Sequence, residues 1–342
     1  VLAGVGLLPM GQWFGGACVP VVGVNGVGVA PEARGSGVGK AMLTAMLEEL
    51  HTAGTPLSVL YPATLTFYRR VGYELAGYRY NYELPTAAIE TRPSPCELVP
   101  VADGDYEAIY AAYAERARRS AGLLERPSFM WRQRLEPEGK LPYRFLAVNQ
   151  GNVEGYVVYT QGSRTEPITI LDCCVLTPEA GRRFLALFAG YRMMIEKLSW
   201  AGGATDPLRY LLEENLVAGI AGRISIVRPF EWMLRLVHVP AALAARGYPP
   251  GLSAELHLDV RDELLPANNR RFVLHVANGR ATVAEGGQGR IGLHVRDLAA
   301  LYTGFMSPAE QAISGSLHGP PADLALLGAL FAGPRPWIAD MF

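Results

Sequence analysis

The sequence predicts an α/β (α+β) chain in three parts: two tandem mixed α/β segments, then an α+β domain. Three observations predict it. The chain has 342 residues, half of them apolar, and single hydrophobic cores stop growing near ~250–300 residues. Apolar periodicity lapses at two proline-bearing stretches, 86–95 and 248–251, which read as linkers. Strand-like and helix-like stretches alternate through the first two segments, whereas the last opens on a run of strands. The expected domains are 1–85, 96–248 and 252–342.

Composition excludes several classes of function. Lys plus Arg number 31 and Asp plus Glu number 32, a net charge of −1, so there is no electrostatic footprint for nucleic acid. No stretch reaches the ~20 apolar residues of a membrane span. Cys18, Cys96, Cys173 and Cys174 form no CxxC pair and read as buried thiols of a reducing compartment, so a cytoplasmic protein is expected. The six histidines are scattered, and no pattern of metal ligands emerges. The chain opens on Val1 in what reads as a strand already in progress, so the natural protein is expected to start earlier.

The elements follow in order. Residues 21–30 are β-rich and end at Pro31. A glycine loop precedes a helix over 38–53, whose Val38, Met42, Leu43, Met46, Leu47 and Leu50 keep helical spacing. Residues 57–61 form a strand, 65–71 a short helix closed by Gly72, and 78–84 an alternating strand. In the second segment 105–121 and 179–191 are helical, while 145–148, 155–159 and 168–176 are strands. In the third, 256–260, 271–276 and 281–283 alternate as strands, Asn278-Gly279 signals a hairpin, and 298–304 and 322–331 are short helices.

The most informative stretch runs from Val27 to Lys40. A strand ends, Arg34-Gly35-Ser36-Gly37-Val38-Gly39 turns, and a helix begins. Free N–H groups converge at a helix start and the helix dipole is positive there. Glycines admit positive φ and close approach of an anion, and Arg34 and Lys40 add charge. The arrangement reads as a pyrophosphate cradle. It is not a P-loop, because Ala41 follows Lys40, and its glycines have the wrong spacing for a dinucleotide fingerprint.

This segment resembles the coenzyme A signature of the GCN5-related acetyltransferases at Val27, Val29, Pro31, Arg34, Gly37 and Gly39. The resemblance implies that acetyl-coenzyme A is the co-substrate. Val27, Gly28 and Val29 would pair with its pantetheine. Arg34, Gly35, Ser36, Gly37, Val38, Gly39 and Lys40 would hold its pyrophosphate, and Ala63 and Thr64 would also touch it. Phe67-Tyr68-Arg69-Arg70-Val71-Gly72-Tyr73 is similar to a second family motif, which implies that Tyr68 is the general acid for the leaving thiolate. A phenol suits that role because its pKa of ~10 lies near the ~8.5 of a thiol. Most tyrosines on short helices are simply packed aromatics, as Tyr73 is expected to be.

The three-part order resembles the enhanced-intracellular-survival (Eis) acetyltransferases, two acetyltransferase-like folds with mixed central sheets followed by a sterol carrier protein-like domain. Residues 298–304 carry the resemblance in the last part. The second segment has a single glycine in Leu176-Thr177-Pro178-Glu179-Ala180-Gly181-Arg182-Arg183 and is expected to be a non-catalytic copy. The resemblance implies that the C-terminal carboxylate of Phe342 is the base, with Asp340 attracting the positive charge of the acceptor. Trp13 and Phe14 either line the amine pocket or simply pack. The implied acceptor is an amine of an aminoglycoside or lysine side chain, and the implied assembly a homohexamer. Some Eis members carry arginines where Gly35, Ser36 and Gly39 stand here, which weakens the transfer of substrate specificity. A lipid-carrying role and an acetyl-coenzyme A sensor are the alternatives.

Overall fold

The computed structural model describes residues 1–217 and 223–342. Strands β1 (Ala3–Phe14) and β2 (Ala17–Val29) form a hairpin, followed by α1 (Val38–Thr52), β3 (Leu57–Leu60), α2 (Leu65–Arg69) and β4 (Glu74–Pro85). Next come β5 (Glu97–Pro100), α3 (Glu107–Arg118), β6 (Leu124–Glu125), α4 (Ser128–Leu135), β7 (Tyr143–Asn149) and β8 (Asn152–Thr160). The middle of the chain continues through β9 (Ile168–Val175), α5 (Pro178–Ala189), β10 (Lys197–Gly202), α6 (Pro207–Tyr210) and β11 (Ser225–Leu236). The remainder is α7 (Val239–Ala245), β12 (Ala254–Arg261), β13 (Arg271–Ala277), β14 (Arg280–Glu285), β15 (Ile291–His294), α8 (Val295–Thr303), α9 (Pro308–Ile313), β16 (Leu317–His318) and α10 (Pro321–Phe331).

Local chemistry accounts for the boundaries. Helix α1 starts after Gly37 at φ +87° and is followed by Gly54 at φ +72°, both left-handed positions that favour glycine. Its Leu43, Met46 and Leu47 are buried, as the periodicity predicts. Asn278 and Gly279 take φ of 52° and 76°, the paired positive values of a two-residue hairpin turn.

The two α/β segments share one eleven-stranded sheet, in the order β5-β7-β8-β9-β10-β4-β11-β3-β2-β1-β6. Read inward from either side, its centre has the same plan. Parallel pair β2–β3 matches parallel pair β9–β10, and each is followed by an antiparallel strand. That following strand comes from the other segment. Strand β11 pairs with β3, and β4 pairs with β10. The sequence reading missed this exchange, because a strand's own residues say nothing of which distant strand it joins.

The third domain has a five-stranded sheet, β14-β13-β12-β15-β16. It is packed against the first segment without a core of its own. Phe14, Val21, Val59 and Trp232 of the large sheet form one buried cluster with Leu258, Phe272, Leu298, Tyr302 and Ile338. Helix α1 covers another cluster with Val24, Leu60, Tyr68, Tyr73 and Met233. After α10 the chain turns back through the molecule. Trp337 N–H donates to the Ala121 carbonyl at 3.0 Å, and residues 336–340 are all buried.

Candidate active site

Strand β2 outruns its neighbour. Its pairing with β3 ends at Val24–Leu60, so the edge of residues 25–29 that faces β3 has no strand partner. On its other side β2 pairs with β1 through a bulge between Gly4 and Gly6, where Gly26 takes φ +57°. The strand leads through Pro31 to the glycine loop. Gly35 has φ +81°, and a Cβ on Gly35 or Gly37 would meet nothing within 4 Å; the loop therefore stands open to an approaching ligand. No side chain caps α1 and its first turn holds no acid, so its leading N–H groups and its positive end are free for an anion. The residues fit the pantetheine and pyrophosphate of coenzyme A. The edge offers amide and carbonyl groups, and the loop offers amide donors beside the exposed Arg34 and Lys40.

Tyr68 lies on α2 with its side chain 5% exposed. Its ring meets Phe67 edge-on at 5.1 Å and Tyr73 at 6.1 Å. Burial alone pushes the phenol above its ordinary range, since the phenolate would be poorly solvated. Tyr73 is committed elsewhere, its hydroxyl 2.7 Å from Ser58 Oγ. Beside the start of α2 opens a cleft of about 630 Å³. Ala63 and Thr64 form one wall, Tyr78 and Tyr80 of β4 another, and Phe230 and Glu231 of β11 a third. Glu231 contributes, after burial, to raising both Tyr78 and Tyr80.

The chain end reaches the same place. Phe342 packs on Tyr61 with ring centroids 5.6 Å apart, and a Cβ on Gly23 of β2 would lie 2.9 Å from its ring. Tyr61 also lines the cleft, and its hydroxyl donates to the Asp340 carbonyl at 2.8 Å. Asp340 itself is 2% exposed and accepts from Arg126 Nε at 2.9 Å and Arg134 Nε at 3.0 Å. Arg126 bonds Asp172 as well, at 2.5 Å, and lies 4.1 Å from the Tyr113 ring. Burial pushes the Asp172 carboxyl up, but Arg126 outweighs it and holds the group at about 2.

Comparison with known proteins identifies the family. Residues 1–76 and 122–236 each match the pattern of an acetyltransferase (GNAT) domain, and 239–339 that of a sterol carrier protein domain. The fold superposes on the crystal structure of a GCN5-related N-acetyltransferase from Anabaena variabilis with a TM-score of 0.92. The two are 37% identical, covering 99% of this chain and 86% of that one. This chain belongs to the GCN5-related N-acetyltransferases. It is also similar to Eis1 from Mycobacterium abscessus, at 25% identity and TM-score 0.79 over 100% of this chain and 88% of that one. An uncharacterized N-acetyltransferase of Streptomyces griseus is 28% identical over 96% of this chain and 83% of its own length.

The protein is thus an acyltransferase of the Eis-like type, two GNAT domains with a terminal sterol carrier protein domain. Among the described residues no helix is long and apolar enough to cross a membrane, and no cluster of potential metal ligands occurs. The structure decides one open reading of this acetyltransferase and corrects one expectation. Phe14 is fully buried, edge-on to Tyr302 of the third domain at 5.2 Å. Trp13 donates to Glu125 at 3.1 Å beneath Arg118. Both stand at the closed end of the β1–β2 hairpin, with Trp13 opposite Cys18, whereas Val29 pairs with Ala3 at the other end; they pack and do not line the cleft. Asp340 cannot draw a cationic acceptor, because two arginines already neutralise it and no face of it is open. Its work is to anchor the chain end. The sequence also missed Tyr78, Tyr80, Phe230 and Glu231; only the first two carried a signal, the strand alternation of 78–84.

The second GNAT domain differs where the first is open. Thr177 caps α5, its side chain accepting from Ala180 N–H, and Glu179 occupies the first turn. The gap beside β9 retains only about 20 Å³, lined by Arg116, Trp200 and Trp337.

Replacing Arg126 with Met should lower stability to denaturant by ~3–5 kcal/mol, because it leaves two buried carboxylates short of a partner. Urea unfolding checks this; a loss under ~1 kcal/mol would show that the network tolerates an apolar filler, as some buried ion pairs do.

Proposed function

We propose that this acetyltransferase moves the acetyl group of acetyl-coenzyme A directly to a primary amine of a polyamine-like acceptor, an aminoglycoside or a lysine side chain. One observation carries the reading. The open edge of β2 leads to the uncapped start of α1, where Gly39 approaches Phe67 of α2; α2 carries the buried Tyr68 and begins at Leu65 in the wall of the aromatic cleft with Glu231, and Phe342 packs on Tyr61 of the same wall.

The bound thioester supplies an activated acyl carbon and a thiolate leaving group. The loop amides from Gly35 to Lys40 hold the pyrophosphate at the positive end of α1. Backbone N–H groups on the open β2 edge orient the pantetheine arm and polarise the thioester carbonyl. Tyr78, Tyr80 and Phe230 offer aromatic faces to a cation, and Glu231 draws the ammonium by charge. By the family resemblance, the Phe342 carboxylate takes the ammonium proton and frees the amine. The nitrogen–carbon bond forms, the carbon–sulfur bond breaks, the Tyr68 phenol gives its proton to sulfur, and the second proton shed by nitrogen restores the phenol. Thr177 and Trp337 fill the corresponding places in the second domain, which supports a non-catalytic role for it. Assembly as a homohexamer belongs to this reading through the family resemblance, and residence in the cytoplasm through the cysteine pattern. The lipid-carrying alternative is weakened by the third domain's apolar residues, which are already spent in a core shared with the large sheet.

The test is release of coenzyme A, followed with a thiol-reactive dye, in the presence of aminoglycosides, polyamines and lysine peptides. Tyr68→Phe is expected to lower kcat by ~10²–10⁴-fold and leave acetyl-coenzyme A affinity unchanged. The phenol donates only while protonated, and its pKa is raised, so its contribution is lost as pH rises through a value above the ordinary ~10. A fall in kcat below pH ~10 that disappears in Tyr68→Phe would contradict this placement. Deleting Met341 and Phe342 should reduce turnover sharply with little change in cofactor binding; undiminished turnover would remove the chain end from the mechanism. Glu231→Gln should raise KM for a polycationic acceptor by about tenfold, and an unchanged KM would move acceptor recognition elsewhere.

A further inference from the structure

A second cleft, of about 380 Å³, lies between the first GNAT domain and the sterol carrier protein domain. Lys40 in the first turn of α1 and Arg69 and Arg70 at the end of α2 form one side. Asp262, Glu263, His294 and Arg296 of the third domain form the other. Several of these charges are already matched. Asp262 bonds the fully buried Arg235 at 2.6 Å and Arg69 bonds Glu74 at 2.6 Å, whereas Glu263 accepts from Nε2 of a His294 whose Nδ1 is itself an acceptor, so that ring is neutral and Glu263 keeps its charge. Lys40, Arg70 and Arg296 are left, and among the described residues none of them is in a salt bridge. Arg296 is nonetheless steered. Its Nε donates to His294 Nδ1 at 3.3 Å, which leaves the outer guanidinium nitrogens free.

Three cations against the single uncompensated carboxylate of Glu263 leave the cleft net positive, which calls for an anion. Lys40 follows Gly39 in the same helical turn whose amides fit the pyrophosphate, so the cleft continues from that site. The next anionic group along coenzyme A is the phosphate on the 3′ position of its ribose. We propose that the third domain completes the coenzyme A site, with Arg296 holding this 3′-phosphate opposite Arg70 and Lys40. The inference rests on the acetyl-coenzyme A reading above. A phosphomonoester carries about −1.5 to −2 charge near pH 7, and a guanidinium fork matches its oxygens. The sterol carrier protein domain would then have a part in cofactor choice as well as in packing.

Calorimetry on the full chain tests it, with coenzyme A and 3′-dephospho-coenzyme A titrated separately. The wild type is expected to prefer coenzyme A by about tenfold or more. Arg296→Ala should reduce coenzyme A affinity to the dephospho level and leave dephospho-coenzyme A affinity unchanged, and Arg296→Lys should keep part of the preference. Because both ligands are read on each variant, a folding defect shows as an equal loss for both, and that pattern overturns the proposal. An unaltered preference in Arg296→Ala overturns it too, while leaving the acetyl-coenzyme A reading intact. Failure of the wild type to bind either ligand would overturn both.

Discussion

The active site depends on one buried guanidinium. Arg126 has a fully buried side chain and joins Asp172 of the second domain to Asp340 of the chain end. Desolvating such a charge is costly, and only well-placed carboxylates offset it. The geometry is correspondingly specific. Arg126 engages Asp172 with two nitrogens and Asp340 with a third, and Arg134 takes the remaining Asp340 oxygen. A lysine, with a single nitrogen, could not span both carboxylates. Once Asp340 is held, Phe342 is only two residues away and must lie near Tyr61 and Gly23. A network inside the second domain thereby sets the position of a group at the mouth of the first.

The two GNAT domains show how little separates an open site from a closed one. Both have a parallel strand pair that parts, with a helix following the longer strand. In the first, α1 begins on glycines with no capping side chain. In the second, Thr177 accepts the N–H that an anion would otherwise take, and the carboxylate of Glu179 adds charge of the wrong sign. The gap itself is filled by Arg116 and Trp337, whose ring lies 5.0 Å from the guanidinium. Strand exchange makes the halves inseparable, since β3 and β4 of the first are bridged by β11 from the second.

What could be read from sequence was local. The glycine loop declares itself because positive φ, a helix start and flanking cations occur within a few residues. Tyr68 was singled out for the same reason, as part of a short motif closed by Gly72. The three-part order was readable from the change in element order, although the sterol carrier protein match begins at 239, ahead of the 248–251 stretch. Failures came where partners are remote. Asp340 looked like a free carboxylate at a chain end, and its partner Arg126 lies 214 positions away. For Phe14 the sequence left pocket and packing equally open, because the third-domain Tyr302 that covers it is remote. Glu231 carried no signal at all, because its significance arises from β11 leaving its own segment.

These failures share a cause that bears on specificity. The cofactor cradle is built from one continuous stretch, so it can be inherited whole and recognised by pattern. The proposed acceptor cleft is not. Its walls come from the turn before α2, from β4 and from β11, and Tyr78 packs edge-on against Phe305 of the third domain at 5.2 Å. Changing any one of the three parts re-aims a wall of the cleft without touching the cradle. Acceptor choice in such an architecture can therefore drift with the packing between domains while acetyl-coenzyme A use stays constant, and likeness in the cradle carries no information about the amine.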